Sequence, residues 1–125
     1  MKLLQVSILS FGLALGLITT ASLTAASANA ETFNINVAAV DVNGTKFWLP
    51  SVIVAKKGDT VKIHAVTKIA GPNTHGFAID QFKVETIVVN DKPTDIEFIA
   101  NKAGIFPIRC QLHAPHIGGQ LLVLE

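Results

Sequence analysis

The feature that most constrains the fold is a succession of short segments in which apolar and polar residues alternate. Residues 33–37 and 61–65 show the pattern most clearly. A period of two places the apolar side chains on one face of a β-strand. After residue 30, no segment keeps the 3.6-residue apolar period of an amphipathic helix. The sequence therefore predicts an all-β domain.

Turn residues divide the chain into seven or eight expected strands. One of these turns, at residues 56–59, is polar and is expected to be solvated. The apolar segments are residues 33–39, 52–54, 61–65, 77–79, 85–89, 96–99, 106–110 and 121–124. Strands at this spacing are typical of a two-sheet β-sandwich or a Greek-key barrel. The sequence contains no repeat or linker-like tract, so we expect a single domain over residues 31–125.

The first 30 residues have the features of a cleaved signal peptide. Lys2 provides the positive charge, residues 3–18 are almost continuously apolar, and Ala28-Asn29-Ala30 fits a signal peptidase site. The apolar run is shorter than the roughly 20 residues that a membrane-spanning helix needs. We therefore expect export to the periplasm, cleavage before Glu31, and no stable membrane insertion afterwards.

The charge balance argues against a nucleic-acid partner. Lys2 is the only charged residue before position 31, so the remainder keeps nine of the ten basic residues and all nine acidic ones. A formal net charge of zero, without a basic stripe, gives no electrostatic attraction to phosphate backbones.

A lone cysteine and a group of histidines are the residues most suggestive of chemistry. Cys110, His113 and His116 lie within seven residues, and Cys110 ends an expected strand on its core-facing side. In an exported domain a single thiol is either inert and buried, paired with another chain, or bound to a metal. His75 lies on another loop, which a sandwich can bring to the same end. His64 falls on the polar face of its strand and is not expected to bind metal.

The donor types restrict the metal. A thiolate with imidazoles suits copper or zinc and excludes magnesium and calcium. Four N/S ligands also satisfy a structural zinc site, although such sites usually draw their ligands in two pairs. A His/His/Cys set with an adjustable fourth ligand is the arrangement of electron-transfer copper. We expect one copper ion, cycling between Cu(I) and Cu(II), with these ligands: His75, Cys110, His113 and His116.

Two stretches resemble the cupredoxin family. Residues 52–61 resemble its second-strand signature, and residues 103–110 resemble the approach to its copper-binding cysteine. The resemblance covers nearly all of residues 31–125. It implies a Greek-key β-sandwich that carries single electrons between periplasmic redox proteins. Among cupredoxins, the nitrosocyanins, or red copper proteins, are most similar, through residues 75–80, 110–113 and 116–121.

One residue and one loop length depart from the nitrosocyanin pattern. His75 stands where nitrosocyanins have a glutamate ligand, and histidine is the residue that blue copper proteins use there. The Cys-x2-His-x2-His loop has the short length of the amicyanin loop, with His116 in place of its axial methionine. Imidazole is a stronger donor to Cu(II) than a thioether. As a ligand, His116 is therefore expected to lower the reduction potential and shift the colour from blue towards green or red.

Three functions compete at this point. The first is an electron carrier in which His113, by resemblance, is the electron exit and Pro115 and Ile117 form the docking patch. The second is a copper redox enzyme, or a protein that binds a small ligand such as nitric oxide, of the nitrosocyanin type. The third is a copper chaperone or storage protein. Such proteins tend to use several cysteines or methionines, whereas after residue 30 this chain has one cysteine and no methionine.

Overall fold

The structure is a computed structural model that describes residues 29–71, 74–113 and 118–125. The predicted signal peptide lies outside the described residues except for its last two positions. His116, Pro115 and Ile117 also lie outside them. Within the described part, no helix has the length and apolar character needed to cross a membrane.

The described residues form strands joined by turns and one turn of 3-10 helix at Asp80–Phe82. The strands are β1 (Thr32–Val42), β2 (Thr45–Leu49), β3 (Val52–Lys56), β4 (Thr60–Thr67), β5 (Thr74–Ile79), β6 (Val84–Val89), β7 (Thr94–Ile99), β8 (Gly104–Ile108) and β9 (Gly119–Leu124). The all-β prediction is confirmed, with nine described strands instead of seven or eight. The additional strand is β2, in which only Trp48 is buried, so the sequence shows no alternation there.

The strands form a mixed sandwich. A four-stranded sheet has the order β2-β1-β4-β7, a three-stranded sheet has the order β3-β9-β8, and β5 pairs with β6. β1 pairs parallel to β4, and β3 pairs parallel to β9, while the other pairings are antiparallel. Strands that are distant in sequence are therefore neighbours, as in Greek-key sandwiches.

One hydrophobic core joins the three sheets. Val61, Ile63 and Ala65 of β4 all face it, as their alternation predicted, while His64 is exposed on the opposite face. Trp48 and Phe77 pack edge to face in this core, with ring centroids 5.2 Å apart. Aromatic pairs in this arrangement add to the stability that comes from burial alone.

The turn after β3 differs from its prediction. Residues 56–59 were expected to form a solvated turn, but the Asp59 side chain is buried, with the residue 6% exposed. Its carboxylate accepts hydrogen bonds from the backbone N–H groups of Glu31, at 3.0 Å, and Lys56, at 2.8 Å. These two bonds lower the pKa of Asp59 below its usual value. The carboxylate therefore anchors the backbone that leads into β1.

Candidate metal centre

β5 brings His75 into the interior of the protein. Every residue of this strand after Thr74 is buried, so both faces of the strand are covered. His75 is 1% exposed and shares its face with Phe77 and Ile79, which belong to the hydrophobic core. Surrounding packing therefore restricts the His75 imidazole, which favours a fixed position for a ligand.

Cys110 approaches His75 because the end of β8 docks onto β5. The backbones of Ala78 and Arg109 exchange two hydrogen bonds, with N···O distances of 2.9 and 3.0 Å. This contact places the Cys110 sulfur where it accepts a hydrogen bond from the backbone N–H of Gly76, at 3.0 Å. Cys110 is 6% exposed, which confirms that its side chain points inward.

His113 completes a group of three donors. Its Nδ1 lies 3.4 Å from the Cys110 Sγ, and its ring centroid lies 5.4 Å from that of His75. One donor atom from each of the three residues lies within 4.8 Å of the other two. His113 is exposed, whereas the other two residues are buried. One donor of this candidate site is therefore at the surface, and the other two are in the interior.

The three donors fit a soft or borderline metal ion. Metal bonds of about 2.3 Å to a thiolate and about 2.0–2.1 Å to an imidazole together exceed the 3.4 Å between the Cys110 Sγ and the His113 Nδ1, so one ion can contact both. A thiolate, which is the form that binds metal, is a good acceptor for the Gly76 N–H. One thiolate and two imidazoles are a donor set suited to copper or zinc.

An ion pair links the two chain segments beside the site. The Arg109 guanidinium donates from Nη2 to Oδ1 of Asp80 at 2.6 Å and from Nε to Oδ2 at 3.0 Å. This arginine lowers the pKa of Asp80, and the aspartate raises the pKa of Arg109. Asp80 directly follows β5, so the ion pair connects the strand of His75 to the residue before Cys110.

Gln111 makes a second link on the other side of Cys110. Its Nε2 donates to the backbone carbonyl of Thr86 in β6, at 3.1 Å. The side chain passes so close to Gly76 that a Cβ at this position would collide with it. Glycine is therefore required at position 76 by the approach of Gln111. Asp80, Arg109 and Gln111 lie inside the stretches that resemble cupredoxins, but neither those stretches nor the alternation pattern assigned them a role. The only indication was that both neighbours of Cys110 are polar.

The structure brings together three of the four predicted ligands. His75, Cys110 and His113 converge, whereas His116 lies outside the described residues, and its role stays a prediction. His64 is not part of this group; it is exposed on β4 and contacts Asp95, with 2.7 Å between Nδ1 and Oδ1. Its exclusion from the predicted ligand set agrees with this position.

Sequence comparison identifies the family. The sequence profile described as "Cupredoxin-like domain" matches residues 12–123. The chain belongs to this family. In this cupredoxin, His75, Cys110 and His113 form a candidate copper site, and copper is the cofactor that the family and the donor set indicate. No curated protein sequence matches the chain.

Solved structures support the fold. The copper nitrite reductase from Nitrosomonas europaea is 17% identical, with a TM-score of 0.61, over 74% of this chain and 41% of its own. The blue copper oxidase from the same organism is 14% identical, with a TM-score of 0.58, over 74% and 39%. Auracyanin A from Chloroflexus aurantiacus, a "blue" copper protein, is 13% identical, with a TM-score of 0.55, over 74% and 98%. This cupredoxin thus spans less than half of the reductase and oxidase chains but matches auracyanin along nearly its whole length.

Proposed function

We propose that this cupredoxin binds one copper ion through His75, Cys110 and His113 and carries single electrons between periplasmic redox proteins. The observation that carries the proposal is the convergence of one buried thiol and two imidazoles within 4.8 Å. Bound copper supplies a one-electron couple between Cu(II) and Cu(I).

The surroundings of the three donors suit an electron carrier. His75 and Cys110 are buried in a packed interior, and the Gly76 N–H donates to the sulfur. Such a frame holds the ligands in one arrangement, and burial and hydrogen bonding to sulfur tune the reduction potential. A rigid frame also keeps the cost of changing the oxidation state low.

The exposed ligand provides the contact with partners. His113 is exposed while the other two donors are buried, so a redox partner can approach the site through this imidazole. The residues that follow it include Pro115 and Ile117, which we expect to form an apolar docking patch around His113. The fold of auracyanin A, a "blue" copper protein, matches over 98% of its own length and 74% of this chain, which supports a copper protein built from a single small domain.

His116 as a fourth ligand distinguishes two versions of the proposal. With His116 bound, the copper has four protein ligands, a lower reduction potential and a green or red colour. Without it, the copper keeps a position for a small molecule, as expected for a nitrosocyanin-type enzyme or nitric oxide binder. The exposure of His113, which gives small molecules access to this side of the site, supports the second version.

The test uses the full chain expressed with its own leader and recovered from the periplasmic fraction. N-terminal sequencing should start at Glu31. Cu(II) loaded at one equivalent should give an intense thiolate-to-copper charge-transfer band, which the Cys110→Ser variant should lose. His64→Ala is the matched control, because this exposed histidine lies away from the site, and it should leave the band unchanged.

A second set of variants separates the two versions. His116→Met should turn the band towards blue and narrow the copper hyperfine splitting if His116 is a ligand. Azide should perturb the wild-type spectrum only if the copper keeps an open position. A wild-type protein that binds copper without any charge-transfer band would contradict the proposed site and leave zinc, or a free thiol, to explain Cys110.

A further inference from the structure

Three consecutive residues attach one segment of the chain to the β5–β6 hairpin. Arg109 binds Asp80 at the end of β5, Cys110 accepts from Gly76 within β5, and Gln111 donates to Thr86 in β6. The hairpin is formed by strands β5 and β6, which pair over their whole lengths. Both of the residues that flank the candidate ligand Cys110 thus contact the element that carries His75.

The Arg109–Asp80 pair has a geometry that fixes position. Two guanidinium nitrogens contact both oxygens of one carboxylate, an arrangement that defines orientation as well as distance. The side chains are 43% and 68% exposed, and exposed ion pairs contribute little to global stability. The principal effect of this pair is therefore local: it holds the Ala78–Arg109 backbone contact closed.

Gln111 fixes the opposite side of Cys110. Its amide hydrogen bond to the Thr86 carbonyl pulls the chain after Cys110 against β6. The same side chain fills the space above Gly76 whose N–H donates to the Cys110 sulfur. Displacing Gln111 would therefore loosen the contact between Gly76 and the sulfur.

We propose that Arg109 and Gln111 are positioning residues that hold the Cys110 sulfur at a fixed distance from His75. Neither side chain is a metal ligand; each acts through the backbone next to Cys110. The proposal rests on the proposed copper site only for its spectroscopic consequence. The positioning itself is a property of the metal-free protein and can be measured without copper.

The first experiment measures amide hydrogen exchange by NMR in metal-free protein obtained from the full chain. The variants are Arg109→Met and Gln111→Met, which keep an unbranched aliphatic stem but remove the polar contacts. Lys62→Met is the matched control, because Lys62 forms an exposed ion pair with Glu97 at 3.1 Å, on the β4–β7 face.

Arg109→Met should speed exchange at Ala78, and Gln111→Met at Gly76, by about tenfold through local opening. Amide exchange in the core of β4 should stay near the wild-type rate, and Arg109→Met should keep a thermal midpoint near that of wild type. A general loss of stability would change both quantities. Arg109→Lys keeps the charge but loses the two-point contact, so it should restore the slow exchange only in part. Lys62→Met should leave both amides unchanged.

The second experiment records the visible and EPR spectra of the same variants with Cu(II). Arg109→Met and Gln111→Met should broaden or shift the thiolate-to-copper band, and Lys62→Met should not. Unchanged exchange at Gly76 and Ala78 in both variants would overturn the positioning role, as would faster exchange spread evenly over all amides. A wild-type protein without the band would count against the copper site alone, since the exchange result does not depend on metal.

Discussion

Replacing Gly76 by alanine tests the close approach between β5 and the Cys110 segment. A Cβ at this position would lie 2.9 Å from the backbone N of Gln111 and closer still to its side chain. Real Cβ atoms do not make such contacts, so Gln111 must move. Forcing one carbon into a packed site typically costs about 1–3 kcal/mol.

The loss of stability is measurable in metal-free protein. For a domain of this size, each kcal/mol lowers the Tm by about 4–8 °C. Chemical denaturation should give the same destabilisation with an unchanged m-value. Because the new methyl group displaces the residue next to Cys110, copper binding should also weaken in Gly76→Ala, with a shifted charge-transfer band.

A double-mutant cycle identifies the cause. Gln111→Ala removes the two side-chain atoms that the new Cβ would meet but leaves the backbone N at 2.9 Å. The double variant should therefore be more stable than the sum of the single effects predicts, with a coupling of about 0.5–3 kcal/mol. Additive effects, or a Gly76→Ala protein within about 0.5 kcal/mol of wild type, would refute the reasoning.

Three further predictions concern the rest of the protein. Asp59→Asn should lower the thermal midpoint at neutral pH, because the lowered pKa of Asp59 means that folding favours its charged form. That contribution is present above the ordinary value of 3.8 and disappears as the pH falls through the lower folded value, so wild type and variant should converge in acid unfolding. The difference in thermal midpoint between wild type and variant should be larger in protein cleaved before Glu31, where a terminal ammonium faces the carboxylate. Asp91→Asn, at an exposed carboxylate, is the control, and calorimetry measures the midpoints. Trp48→Ala should cost about 3–5 kcal/mol, and Trp48→Phe clearly less, because the indole N–H has no hydrogen-bond partner among the described residues; urea unfolding measures both. His64→Ala should leave the copper affinity unchanged in a competition titration, since His64 contacts Asp95 on the opposite sheet face.

The alternating strands were the most predictable part of the fold. The strand at residues 61–65 could be predicted from its own alternating pattern, because one face of β4 packs against the core and the other is exposed to solvent. The prediction missed β2, because this strand is stabilised by its spatial neighbours and not by an alternating sequence. It pairs with β1, and Trp48 donates its backbone N–H to the carbonyl of Gly118. Such pairing is decided by tertiary contacts that alternation does not report.

The candidate ligands were predictable for a different reason. Cys110 and His113 are three residues apart, so their proximity follows from local geometry, and the type of each side chain indicates metal binding. Asp80, Arg109 and Gln111 carry ordinary polar side chains whose partners lie 25 or more residues away in sequence. Their roles depend on the docking of β8 against β5, which no local pattern specifies. The polar turn at Asp59 was misjudged likewise, because its partner Glu31 is 28 residues distant.

The position of β9 has a consequence for the order of assembly. This strand lies between β3 and β8, and Val52 pairs with Gln120 across a long stretch of sequence. The entropy cost of closing such a large loop must be met before the contacts between the two strands stabilise the sheet. This order of events slows folding. Within the described residues, β8 pairs only with β9 in its sheet. One further bridge joins Arg109, just after β8, to Ala78 of β5. β8 therefore gains its ladder partner only when β9 joins the sheet, so we expect the segment that carries Cys110 to reach its final position late in folding.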